Sequence, residues 1–129
     1  MKGNKDVVKL WFQKADEDEL NIKSILKHKD GTPSVACFLA QQMAEKYLKG
    51  FLIFIKNDLI KIHDLVKLEE LISEYFPDIK TIHMEISMLG VFYIETRYPG
   101  DFPEFSWLEA EEAYKSAKII KKFILEKIK

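Results

Sequence analysis

The sequence predicts an all-α protein, an antiparallel helical bundle of about five helices, and three observations predict it. Apolar residues recur at three-, four- and seven-residue steps, the period of helices that bury one face. No run shows the two-residue alternation of a half-buried strand. Residues that end or start helices, among them Gly31, Asn57, Pro77, Pro99 and Pro103, separate the periodic stretches.

Pro33–Lys56 reads as the helix around which the others are arranged. At ~1.5 Å per residue it runs roughly 36 Å, the length of a small domain. Thr32 is placed as its N-cap and Pro33 as its first residue, where a missing N–H costs nothing. Val35, Phe38, Leu39, Met43, Tyr47, Phe51 and Phe54 fall at helical spacing, with apolar residues on other faces too, which predicts neighbours on several sides. The middle breaks this pattern. Gln41, Gln42, Glu45, Lys46 and Lys49 form a polar cluster in apolar surroundings. Glu45 and Lys49 stand at the favourable i,i+4 spacing, yet an exposed pair contributes only about 0.3–0.5 kcal/mol. Stability alone does not account for the cluster.

Ahead of it, Asn4–His28 predicts a helix with Val8, Trp11, Ala15, Ile22, Ile25 and Leu26 on its buried side and Asn4 or Asp6 as cap. The acidic run Asp16–Glu19 reads as a solvated outer face, with a basic partner as the alternative. After a break at Asn57-Asp58 and a short connector, a third helix is expected over Asp64–Tyr75, with Leu65, Leu68, Leu71 and Ile72 inward. Pro77 stops it. Asp78 is placed to cap a fourth helix, Ile79–Glu95, presenting Ile82, Ile86, Leu89 and Tyr93. Gly90 inside that helix costs about 1 kcal/mol against alanine, which predicts close packing there. Arg97–Phe105 cannot continue a helix, and its aromatics suggest a segment packed on the domain or a partner. Ser106 and Glu109 form a capping-box pattern opening the last helix, which runs to Ile128 with Ala110, Ala113, Ala117, Ile120 and Ile124 on one face.

With 129 residues, 47% hydrophobic content and no linker-like tract, one domain spanning 1–129 is expected. A net charge of −1 gives no wholesale grip on nucleic acid. The lysines that follow Glu109, Glu111 and Glu112 on the last helix complement its dipole, RNA or DNA binding by that stripe being the alternative. Cys37 is the only cysteine, on an apolar face, and reads as an inert buried thiol. The charged opening residues do not resemble a signal peptide, and the apolar run Phe51–Ile55 is too short to span a bilayer. A cytoplasmic protein with no membrane contact is expected. His28, His63 and His83 lack metal-ligand spacing, so no metal is expected either.

Arg97 is the only arginine among 20 lysines and arginines. Its planar fork suits bidentate phosphate or carboxylate contacts that lysine serves poorly. It serves either a structural ion pair with Glu45 or Glu95 or an anion site for phosphate. His63, ahead of Asp64, either caps the third helix or reaches the polar cluster.

The stretch FLAQQMAEKYLKGFL, the following IHDLVKL, TRYPGD ahead of EEAYKSA, and the opening LWFQKADEDELNIKSIL together resemble the HEPN (higher eukaryotes and prokaryotes nucleotide-binding) domain family. The resemblance implies a bundle similar to the helical domain of kanamycin nucleotidyltransferase. It also implies a homodimer, a two-component, toxin–antitoxin-like pairing with a minimal nucleotidyltransferase, and a bound nucleotide. Carried over by position, it implies nucleotide or anion contacts at Lys46, Lys49, His63, Arg97 and Tyr98, with Gln41, Gln42, Glu45 and Asp64 as the polar signature around them. Many relatives are metal-independent ribonucleases that use an arginine, four to six intervening residues and a histidine. Here those positions hold Phe102, Pro103 and Glu104, so no catalytic residue is assigned. A ribonuclease and a purely structural assembly protein are the alternatives.

Overall fold

A computed structural model describes residues 4–93 and 104–129. In chain order it contains α1 (Asn4–His28), α2 (Pro33–Lys56), α3 (Leu65–Ser73), a 3-10 turn (Pro77–Ile82), α4 (His83–Gly90) and α5 (Trp107–Ile128). No strand occurs among the described residues.

Helix α2 is central because its apolar residues lie on several sides and are covered by neighbours along most of its length. Ala36, Cys37, Ala40, Met43, Ala44, Tyr47, Leu48, Phe51 and Leu52 are all buried. Val35 and Phe54, expected inward, are exposed near its two ends. Thr32 has the extended backbone of an N-cap but makes no side-chain capping bond. At the other end Asn57 adopts φ 54° and its N–H closes on the Ile53 carbonyl. Asn4 does not cap α1. Its side chain donates to Ile53 O (2.8 Å) and Asn57 Oδ1 (2.6 Å), tying the start of α1 to the end of α2. The two helices are therefore antiparallel. Gly50 lets them approach: a Cβ there would lie 2.7 Å from Phe12 Cε1 and 3.1 Å from Trp11 Cβ.

Helix α5 opens with the expected capping box. Ser106 Oγ accepts from Glu109 N (3.1 Å), and Glu109 Oε1 accepts from Ser106 N (2.9 Å). Ahead of it, Phe105 N donates to Ser34 Oγ (3.1 Å) at the start of α2, and the Phe105 ring meets Phe92 edge-on. Ala110, Ala113, Ala117, Ile120 and Ile124 are buried against α2, small residues first. A Lys29–Glu111 pair (3.6 Å) and the bonds from Tyr114 and Lys121 to Glu19 align α5 antiparallel to α1.

The acidic run of α1 is a solvated face only in part. Asp16 accepts from Tyr47 Oη and lies 3.1 Å from Lys121 Nζ. Asp18 meets Lys46 Nζ at 2.6 Å, and Glu19, nearly buried, accepts from Tyr114 Oη (2.7 Å) and Lys121 Nζ (2.7 Å). Burial would push the Glu19 carboxyl up, but the bonds from Lys121 and Tyr114 outweigh it and hold it below its usual range. Asp16 and Glu17, the latter paired with Lys14, are exposed as expected, whereas Asp18 and Glu19 turn inward to their partners.

The predicted fourth helix is shorter and differently built. It begins as a 3-10 turn, and Asp78 pairs with Lys127 of α5 instead of capping it. This turn packs beside Glu69 of α3, which is fully buried. In a 3-10 turn residues three apart eclipse one another. Lys80 and His83 thereby both reach Glu69: His83 Nδ1 lies 2.7 Å from Oε1 and Lys80 Nζ 3.1 Å from Oε2. Ile79 and Ile82, also three apart, turn into the core. Gly90 ends α4 instead of marking tight packing, since a Cβ there would meet nothing within 4 Å. Ile94 and Glu95 lie outside the described residues.

Candidate functional site

Gln41, Glu45 and Lys49 stand at successive four-residue steps on α2 and so line one strip of it. The strip faces the connector between α2 and α3 and is buried despite its polarity. Gln41 is fully buried, and the Glu45 and Lys49 side chains are only 8% and 6% exposed. Such groups must satisfy one another, and they do. Glu45 Oε1 accepts from Gln41 Nε2 (3.0 Å), whose own oxygen accepts from Gln42 Nε2 (2.8 Å). Glu45 Oε2 meets both Lys49 Nζ and His63 Nδ1 at 2.8 Å. Burial would raise the Glu45 carboxyl; the bonds from Lys49, His63 and Gln41 prevail and hold it below its usual range.

Contact with a carboxylate assigns a proton to His63 Nδ1. Lys49 Nζ, 3.3 Å from the same nitrogen, is then a second donor to Glu45 and not a donor to the ring. The imidazole is thus oriented by a buried carboxylate while 55% of its side chain stays in solvent. Nε2 meets no hydrogen-bond partner among the described residues and, with the proton on Nδ1, is the ring's acceptor.

Asp64, next in the chain, caps α3: its Oδ1 accepts from Val66 N (3.0 Å) and Lys67 N (3.3 Å). Hence the capping role open to His63 belongs to Asp64, and His63 is left to join the α2 strip. The His63 and Tyr93 rings lie nearly parallel, 11° apart in plane and 5.7 Å between centroids. They border a groove of about 430 Å³ that is also lined by Asp64, Val66, Ser87 and Gly90.

The candidates named from sequence therefore divide. Gln41, Gln42, Glu45, Lys49 and His63 form one bonded cluster, with Asp64 at its edge. Lys46 points to α1, where Asp18 takes its charge. Lys49 is already matched by Glu45, so the exposed group of the cluster is His63. Arg97 and Tyr98 lie outside the described residues, as does any pairing of Arg97 with Glu45 or Glu95. Sequence reasoning missed Ser87 as a groove residue, which no motif marks. It also missed the Glu69–Lys80–His83 cluster, although a glutamate amid the apolar face of Leu65, Leu68 and Ile72 was the available signal.

Among the described residues, no three His, Cys, Asp or Glu side chains gather as a metal site would require. No helix among them is long and apolar enough to cross a membrane.

Comparison with known proteins matches this arrangement to one family. The model of the HEPN domain matches residues 8–128. The crystal structure of TT1696 from Thermus thermophilus is similar, with 29% identity and a TM-score of 0.75 over 93% of this chain and 97% of that one. So is that of ST0689, described as an archaeal HEPN homologue, with 27% identity and a TM-score of 0.72 over the whole of both chains. No curated protein matches. Because the family match takes in all of α2 to α4, all but the first turn of α1 and α5 to its last residue, Glu45, Lys49, His63 and Asp64 all fall inside it, and the chain belongs to the HEPN domain family.

Proposed function

We propose that this HEPN protein is a nucleotide-binding accessory subunit: a single-domain cytoplasmic homodimer that works with a minimal nucleotidyltransferase in a two-component, toxin–antitoxin-like pair. One observation carries the reading. A buried carboxylate is spent on orienting a half-exposed imidazole that lines a ligand-sized groove. Glu45, Lys49 and His63 are a costly arrangement for stability alone, since desolvating two charges offsets much of their attraction. Arg97 and Tyr98 follow Tyr93 by four and five residues and are the further anion contacts in this reading. Calorimetric titration with ATP and GTP tests it: wild type binds, and His63→Ala and Arg97→Ala each weaken binding severalfold. Equal heats in all three, or none in wild type, reject the ligand half. Co-expression with a minimal nucleotidyltransferase tests the other half, and failure to co-purify rejects it.

A second reading, a metal-independent ribonuclease, is favoured by the same carboxylate-oriented imidazole, which suits acid–base work. It predicts RNA cleavage that His63→Ala abolishes. RNA left intact by the wild-type protein rejects it.

A further inference from the structure

Helices α1 and α5 both pack on α2, and long polar side chains link them to each other. Tyr114 and Lys121 reach across to Glu19, and Lys121 also to Asp16. Beside this bridge the valley between the two helices holds a cavity of about 470 Å³, whose lining includes Glu19, Lys118, Lys121, Lys122, Leu125 and Glu126. We infer that the valley is the docking surface for an acidic amphipathic helix of a partner protein. The assignment rests on the reading above that the chain works as one half of a two-component pair.

Lys121 is spent on Glu19 and Asp16, whereas Lys118 and Lys122 are exposed and meet no carboxylate among the described residues. The dipole of α5 does not account for these two. Its effect falls off within the last turn, and both lie more than a turn before the end of the helix at Ile128. Apolar surface accompanies them. Leu125, in the lining, is 38% exposed, and Leu20, one turn beyond Asp16 on the strip of α1 that meets Lys121, is 66% exposed. Because the helices are antiparallel, the two leucines lie on opposite sides of the Asp16–Lys121 contact, roughly 12 Å apart along the valley. Lys118 falls level with Leu20, and Lys122 with Leu125. Residues seven or eight apart on one face of a helix have the same interval. A helix laid along the valley thus sets two apolar residues on the leucines and flanking Asp or Glu on the lysines. A nucleic-acid strand fits less well. Glu126 is exposed in the lining with no cation beside it among the described residues, and it would repel phosphate, whereas a polypeptide can set Lys or Arg against it.

Calorimetric titration of the full chain with the minimal nucleotidyltransferase, at low and high salt, tests the assignment. The variants are Lys118→Glu/Lys122→Glu, Leu20→Gln and, as a control on α3, Lys67→Glu. All four positions are exposed on helices and the new residues are good helix formers, so the fold is kept, which circular dichroism checks. Wild-type binding should weaken with salt. The double charge reversal should weaken it about tenfold or more and flatten the salt dependence, and Leu20→Gln should weaken it severalfold, with Lys67→Glu unchanged. Binding that survives the double reversal or Leu20→Gln, or falls as far in Lys67→Glu, overturns the docking surface while the pairing stands. A single-stranded oligonucleotide that binds wild type and is lost on the double reversal assigns the valley to nucleic acid and overturns the proposal as well. Absence of binding to the wild-type chain overturns the pairing and the docking surface together. Should the double variant not fold, Leu20→Gln decides.

Discussion

Glu45→Gln is the substitution that most directly tests how the α2 strip is held. It removes the partner of a lysine whose side chain is only 6% exposed. Breaking a buried pair from one side costs about 3–5 kcal/mol, because the remaining charge keeps its desolvation penalty without its attraction. The low end of that range applies, since Lys49 Nζ lies 3.3 Å from His63 Nδ1, which can turn to accept from it. About 3 kcal/mol is therefore expected, a melting point lower by roughly 10 °C for a chain of this length. Lys49→Met costs less, about 1–2 kcal/mol, because Glu45 retains its hydrogen bonds to Gln41 and to the half-exposed His63. The double variant buries no charge at this place. It should lose about 1–2 kcal/mol, well short of the sum of the two single losses. Urea unfolding followed by circular dichroism, at fixed protein concentration, measures all three. Losses that simply add, or a Glu45→Gln loss under about 1 kcal/mol, would refute the account of a mutually dependent buried pair.

Other outcomes follow from the same geometry. Gly50→Ala, whose Cβ would press on the Phe12 ring stacked against Tyr47, should destabilise the protein by about 1–2 kcal/mol, whereas Gly90→Ala should be neutral or stabilising by up to ~1 kcal/mol; thermal melts of both check the contrast. Glu45 and Glu19 are held below the ordinary value of 4.5, so their contribution is present above that pH and is lost as pH falls through their lowered folded values. Unfolding free energy should therefore be flat from neutrality to about pH 5 and drop below about pH 4.5, with a shallower drop in Glu45→Gln. Cys37 is fully buried and its thiol is pushed up to about 11, first by burial and then by Glu109. A thiol-reactive disulfide reagent at pH 8 should leave it unmodified in native protein and react promptly in denaturant.

The long helices were legible because their signals are local. The bounds of α1 and α2, the break at Asn57 and the capping box at Ser106 each follow from residues within a few positions of one another. What was not legible depends on distant partners. The acidic run looks solvated until Tyr114 and Lys121, about a hundred residues away, come to lie on Glu19. Periodicity extended one helix across 79–95, but the chain from Pro77 starts as a 3-10 turn whose Lys80, with His83 after it, meets Glu69 on α3, a partner no local pattern names. Gly90 and Gly50 are indistinguishable as residues in a helical pattern; only the Phe12 ring over one of them makes it the contact point. In the candidate site, the Glu45–Lys49 pairing could be read from spacing. That His63 joins it was one of two readings open in the sequence, and the path of the connector decides between them.

The cluster joins two parts of the chain that differ in how readily their amides reach water. Glu45 and Lys49 belong to a helix covered along most of its length, whose backbone should exchange hydrogen for deuterium only when the whole molecule opens. His63 ends a connector with exposed residues from Asn57 to Asp64, where opening is cheap. A molecule that grips the imidazole thereby fastens an exposed connector to a covered helix, and its arrival should register as slowed exchange at Leu59–His63 with no change along α2.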